Sequence, residues 1–231
     1  MGFYRYANDL ISLFFPEVCL GCNRPLVSQE KYICTHCSFH LPYTNFHLDA
    51  ENIACKRFWG RIPLKAAASY LYFSPGSLVQ QILHNIKYKN RPHAATFLGK
   101  QYGLSLKKTS SFNNIDLIIP VPLHKKRLRA RGYNQSEYFG KGLAESMGID
   151  METALLIRSR KTETQTIKNR YERYKNMQDA FQIIRPKSLE NRHILLIDDV
   201  LTTGSTLEAC ANELLKIQGT KVSIATIAFT K

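Results

Sequence analysis

Ile194–Thr206, reading ILLIDDVLTTGST, is the stretch that decides the fold. Ile194, Leu195, Leu196 and Ile197 form a short continuous apolar run, the pattern of a strand buried on both faces in a parallel sheet. The run stops at Asp198 and Asp199, which puts two acids at a carboxyl strand end, where open α/β sheets bind ligands. Thr202, Thr203, Gly204, Ser205 and Thr206 follow at once. Their N–H and hydroxyl groups can ring an anion, and Gly204 lets the backbone approach it closely. A helix expected from about Leu207 to Ile217 aims its positive N-terminal end at the same point, so a phosphate monoester suits the turn. The acids repel phosphate and suit instead the diol of a ribose or a hydrated divalent cation. Ribose 5-phosphate satisfies both halves.

A bare metal site or an ordinary helix N-cap is the plainer reading of these residue types. The ordered succession of strand, acids, turn and helix favours the sugar phosphate. A P-loop fits less well, because the GxxxxGK[ST] spacing is missing and no Lys follows Gly204.

Outward from this segment, Val222 to Phe229 reads as a last strand, and Ile115 to Pro120 and Ala66 to Phe73 as earlier ones. Pro75 opens a helical stretch with Leu78, Val79, Ile82, Leu83 and Ile86 on one face, and further helices are expected over Ala94 to Leu106 and Tyr133 to Met147. With Ala154 to Ile157 read as another strand, β and α elements alternate, which predicts an α/β fold on a parallel sheet. After Pro120 comes a dense basic loop with Lys125, Lys126, Arg127, Arg129 and Arg131, leading into Gly132-Tyr133-Asn134-Gln135. If its strand neighbours the Ile194 strand, these cations lie near the ligand and can neutralise a leaving pyrophosphate; the plainer reading is a solvated basic loop.

Five of the six cysteines precede residue 56, and four form Cys19-Leu-Gly-Cys22 and Cys34-Thr-His-Cys37 with eleven residues between the pairs. Two such knuckles supply four thiolates to one tetrahedral zinc with no position left for water, so the site is structural. Disulfides or a redox pair are the alternative, disfavoured by the absence of a secretory signal and the redundancy of two motifs. A module of roughly 40 residues buries too little core to fold without the metal. His36 reads as an exposed spacer, Cys55 as unpaired and Cys210 as a small buried residue. Phe39 to Arg61 shows no clear period and reads as a connector, so the chain divides at about residue 60 into a cysteine module with connector (1–60) and an α/β domain (61–231).

The chain has 231 residues, and 32 Lys+Arg against 18 Asp+Glu give a formal net charge of +14. That excess points to polyanionic or phosphorylated partners. No apolar run reaches the ~18–20 residues of a membrane helix, and the N-terminal stretch from Leu10 to Phe15 is too short for a signal, so a soluble, cytoplasmic protein is expected.

Position by position, ILLIDDVLTTGST resembles the signature of the type I phosphoribosyltransferases, which bind phosphoribosyl pyrophosphate (PRPP) with Mg²⁺. The resemblance implies that Asp198 and Asp199 contact the ribose hydroxyls and that Thr202, Thr203, Gly204, Ser205 and Thr206 hold the 5-phosphate. PVPL…RLRARGYNQ is similar to the pyrophosphate-loop region of one subgroup, the ComF proteins, which join a four-cysteine zinc module to a type I phosphoribosyltransferase domain and act in bacterial DNA uptake and transformation. It implies Val121, Pro122, Arg127 and Arg131 as pyrophosphate-loop residues, and Lys87-Tyr88, Ala180 and Phe181 also fit the subgroup. Gln165, Arg173 and Asn176 fall where the family carries a loop that closes over the substrate; Tyr171 and Tyr174 beside them would suit single-stranded DNA. Two functions follow from the resemblance. One is Mg²⁺-dependent phosphoribosyl transfer to an acceptor for which no general base or nucleobase site is evident. The other is a non-catalytic accessory that binds single-stranded DNA or a competence helicase, with PRPP as a regulator.

Overall fold

The computed structural model describes residues 16–27, 29–158 and 180–231. Its centre is a four-stranded parallel sheet in the order β1-β6-β5-β2, built from β1 (Ala66–Phe73), β2 (Leu117–Pro120), β5 (His193–Leu201) and β6 (Lys221–Thr230). β5 and β6 are buried almost throughout, which is why both read as unbroken apolar runs rather than alternating ones.

The crossovers are helical. α3 (Leu78–Tyr88) starts at Ser77, whose side chain accepts a hydrogen bond from the Gln80 N–H, and it buries Val79, Ile82, Leu83 and Ile86. The helix therefore opens three residues after Pro75. α4 (His93–Leu106) lies against α6 (Gln135–Met147) so closely that a Cβ on Gly142 would stand 2.0 Å from the Thr96 carbonyl oxygen. α7 (Ser205–Leu215) follows β5.

Two sequence expectations are corrected. The segment near Ala154 does not join the parallel sheet: β3 (Leu156–Arg158) pairs antiparallel with β4 (Phe181–Ile183) in a separate two-stranded ribbon. A three-residue strand carries too little periodicity to reveal its partner. The basic run after Pro120 is helical, forming α5 (Lys125–Arg131), capped at its start by the His124 ring nitrogen and ended by Gly132 at φ +83°.

The cysteine module from Cys19 onward and the connector after it share the hydrophobic core of the sheet domain. α1 (Thr35–Phe39) carries the second cysteine knuckle, and α2 (Ile53–Lys56) sits on β1. Asn52 fastens that contact, donating to the carbonyls of Phe46 at 3.0 Å and Ala67 at 2.9 Å while its oxygen caps α2. The Asn85 amide donates to the Leu20 carbonyl at 2.9 Å and ties the first knuckle to α3. No helix among the described residues is long and apolar enough to cross a membrane.

Candidate functional site: an acid pair, a hydroxylated turn and a four-thiol cluster

β5 does not end at the acids. It continues to Leu201 because β6 keeps pairing with it, Asp198 opposite Thr226 and Leu201 opposite Phe229. On its other side β2 stops at Pro120, opposite Ile197. The acids thus begin at the residue where one neighbouring strand is withdrawn, the carboxyl sheet edge at which α/β sheets bind ligands.

Asp198 and Asp199 are held by the head of α6. The Ser136 hydroxyl donates to Asp198 Oδ1 at 2.9 Å, and the Gln135 amide donates to Asp199 Oδ2 at 2.8 Å. Asn134 caps this helix and donates to the Val121 carbonyl at 3.0 Å, locking its start to the end of β2. Lys87, from the last turn of α3, places its ammonium 2.5 Å from Asp199 Oδ2. Burial, and then the Asp199 charge beside it, push the Asp198 carboxyl up to about 7.

The turn after β5 is short and hydroxyl-rich. Thr202 and Thr203 are exposed, Ser205 and Thr206 half-buried, and Gly204 buried at φ +80°, the left-handed region that glycine enters without strain. Ser205 begins α7, its N–H directed at Thr203 Oγ1 at 3.4 Å and its hydroxyl 3.0 Å from the same oxygen. The helix start and the clustered hydroxyls can supply donors, while the acids that precede them in the chain can supply acceptors.

Cys19, Cys22, Cys34 and Cys37 bring their sulfurs within 4.8 Å of one another, and all four are free thiols. Cys22 and Cys34 stand 3.7 Å apart, close to the ~3.8 Å edge of a tetrahedron with metal–sulfur bonds of about 2.3 Å. Backbone N–H groups of Gly21 and Cys34 point at the Cys19 sulfur at 3.4 and 3.2 Å. Burial opposes ionisation of Cys19, but N–H donors from Cys34, Cys22 and Gly21 outweigh it and lower the thiol to about 7. The donor set therefore fits a structural metal such as zinc. His36 is exposed, and Cys55 turns away to bond the Ala67 backbone.

Residues 134–231 match the family model for the phosphoribosyl transferase domain. The chain is 30% identical over 203 residues to the DNA utilization protein YhgH of Escherichia coli, an overlap spanning 86% of this chain and 84% of that one. It is 28% identical over 204 residues to competence protein F of Haemophilus influenzae, covering 87% and 85% of the two chains. The chain belongs to the ComF family. A more distant member, competence protein ComFC of Bacillus subtilis, is 23% identical over 215 residues, covering 93% of this chain and 84% of that one. The parallel α/β sheet, the phosphoribosyltransferase domain and the N-terminal cysteine cluster together give this ComF protein its fold class.

Within this ComF chain the remaining candidates separate. Val121 is buried, its N–H bonded to the Ile197 carbonyl at 2.8 Å and its own carbonyl taken by Asn134, so it anchors the loop. Pro122 follows, half-buried. Arg127 and Arg131 project from α5 and line a cavity of about 530 Å³ with Lys87, Tyr88, Asn90 and Tyr133. Arg131 also donates to the Gln135 side chain, which relays the basic helix to Asp199. Gln165, Arg173 and Asn176 lie outside the described residues, between β3 and β4.

Sequence reading assigns no role to Ser136 and none within the site to Lys87, although Lys87 is part of the ComF resemblance. Asn134 followed by Gln135-Ser136 is a helix-start signal directly after a strand and its loop, which is the trace that could have placed Ser136 at the sheet edge.

Proposed function

We propose that this protein binds PRPP at the β5 edge and retains Mg²⁺-dependent phosphoribosyl chemistry in the service of DNA uptake and natural transformation. The observation that carries this reading is the succession of the Asp198–Asp199 pair, beginning where β2 no longer pairs with β5, and the Thr202–Thr206 turn that leads into α7. The turn takes the 5-phosphate, and the acids accept from the ribose 2- and 3-hydroxyls. In transfer, the bond from the ribose anomeric carbon to the pyrophosphate oxygen breaks, pyrophosphate leaves with the bonding pair, and an acceptor nucleophile takes its place. Arg127, Arg131 and Lys87 line the cavity beside the acid pair and suit the charge that builds on the departing pyrophosphate.

Mg²⁺ would supply further charge neutralisation for the pyrophosphate, and the acids are the oxygen donors that suit a hydrated ion. Zinc is the metal proposed for the four thiols. The names of the relatives, DNA utilization protein and competence proteins, support a place in DNA handling. The exposed basic face of α5 favours the second reading, an accessory that binds single-stranded DNA or a competence helicase and uses PRPP as a regulator.

Calorimetric titration of the full chain with PRPP and Mg²⁺, with and without single-stranded DNA, tests both. PRPP binding followed by pyrophosphate release on addition of an acceptor supports transfer. Reciprocal coupling between PRPP and DNA without turnover supports the accessory. Absence of PRPP binding defeats both.

A further inference from the structure

The connector after α2 reaches across to the phosphate turn from behind. Arg57 donates through one terminal nitrogen to the Thr202 carbonyl and through the other to the Thr230 carbonyl at 3.2 Å, with its guanidinium 4.6 Å from the Phe229 ring centre. Arg61 donates to the Thr203 carbonyl at 3.1 Å and forms an ion pair with Glu208, whose side chain is 4% exposed. Between them Phe58 packs beneath the turn, so close that a Cβ on Gly204 would lie 2.8 Å from its ring.

Peptide geometry gives these contacts a consequence for the ligand. In a trans peptide the carbonyl and the N–H of the next residue point in opposite directions, and no cis bond occurs among the described residues. Two arginines holding the carbonyls of Thr202 and Thr203 from one side therefore turn the N–H groups of Thr203 and Gly204 to the other. Neither N–H makes a hydrogen bond among the described residues. Successive free N–H groups on one side of a turn are an anion nest. Glu208 adds an electrostatic requirement. It is a buried carboxylate in the first turn of α7, one turn from where the anion sits, and its charge would work against a phosphate unless countered.

We propose that Arg57 and Arg61 are positioning residues for the phosphate site: they hold the turn with its N–H groups facing the ligand, and Arg61 cancels the Glu208 charge beneath it. The connector to the cysteine module is by this account part of the sugar-phosphate site without touching the ligand. The proposal rests on the reading that the turn holds the 5-phosphate.

The test is calorimetric binding of ribose 5-phosphate to the full chain and to Arg57→Gln, Arg61→Gln, Arg61→Lys and Arg61→Gln/Glu208→Gln variants, with each melting temperature recorded. Wild-type binding is the control for the underlying reading, and its absence would remove that reading before any variant is compared. With wild-type binding in hand, Arg61→Gln is expected to weaken affinity by about tenfold or more. Arg61→Lys and the double variant should each recover part of the loss, because the first restores a cation beside Glu208 and the second removes the Glu208 charge. Arg57→Gln, which leaves the Arg61–Glu208 ion pair intact, should weaken binding less while remaining folded. Wild-type affinity in both Arg57→Gln and Arg61→Gln, or a fall in melting temperature with affinity unchanged well below it, overturns the proposal.

Discussion

Lys87 Nζ stands 2.5 Å from Asp199 Oδ2, and this contact joins the end of α3 to the acid pair within β5. The chain thus supplies a cation where two adjacent carboxylates would otherwise face each other with only dipoles around them. Gln135 and Ser136 complete the arrangement from a third element.

Lys87→Met should cost about 1–3 kcal/mol at pH 8, since removing one partner of a largely buried pair strands the other. The loss should shrink near pH 6, where the Asp198 carboxyl holds a proton and the Lys87 charge no longer offsets a second carboxylate. Urea unfolding at the two pH values checks this; equal losses at both would show that the lysine matters through packing alone.

Asp198 sets a pH dependence whose sign follows from its raised carboxyl. From its ordinary value of 3.8 to about 7, the folded chain holds a proton that the unfolded chain has released, so this group makes stability fall as pH rises through that window. Asp198→Asn should flatten the profile and exceed wild type in stability near pH 8, while PRPP affinity drops. A variant profile parallel to wild type from pH 4 to 8 would assign the trend to other groups.

Gly204→Ala forces a side chain into φ +80° and into the Phe58 ring. The strained backbone alone costs about 1–2 kcal/mol, and the displaced turn should lose phosphate affinity further. Thermal unfolding with and without ribose 5-phosphate reads both; a normal ligand-induced shift in melting temperature would mean the turn tolerates the change.

Metal should be present at about one ion per chain, as elemental analysis of freshly purified protein can measure. Its removal by a strong chelator, or Cys22→Ser, should lower the melting temperature, because the knuckles pack on α3 through Gly21 against Leu78 and Asn85 on Leu20. A metal content near zero would leave the four thiols as a packing cluster.

Much of this molecule was legible because its signals are local. A buried parallel strand is an apolar run, so Ile194 to Ile197 and Val222 to Phe229 announce themselves, and so do knuckles whose cysteines stand three apart. The order of acids, hydroxylated turn and helix start is likewise set by neighbours in the chain. The pairing of β3 is not legible because three residues cannot name a partner, and α5 gives no helical signal because five of its seven residues are basic and none is buried.

The acids, the TTGST turn and the four thiols could be identified from order along the chain, because each is a short-range pattern dictated by backbone geometry and side-chain chemistry. Their partners could not. Lys87, Ser136, Arg57 and Arg61 come from elements far away in sequence, and their roles depend on where β2 stops beside β5 and how the connector folds over α7. Those are consequences of packing one shared core, in which distances between remote residues are set by the whole set of buried contacts rather than by any stretch of sequence.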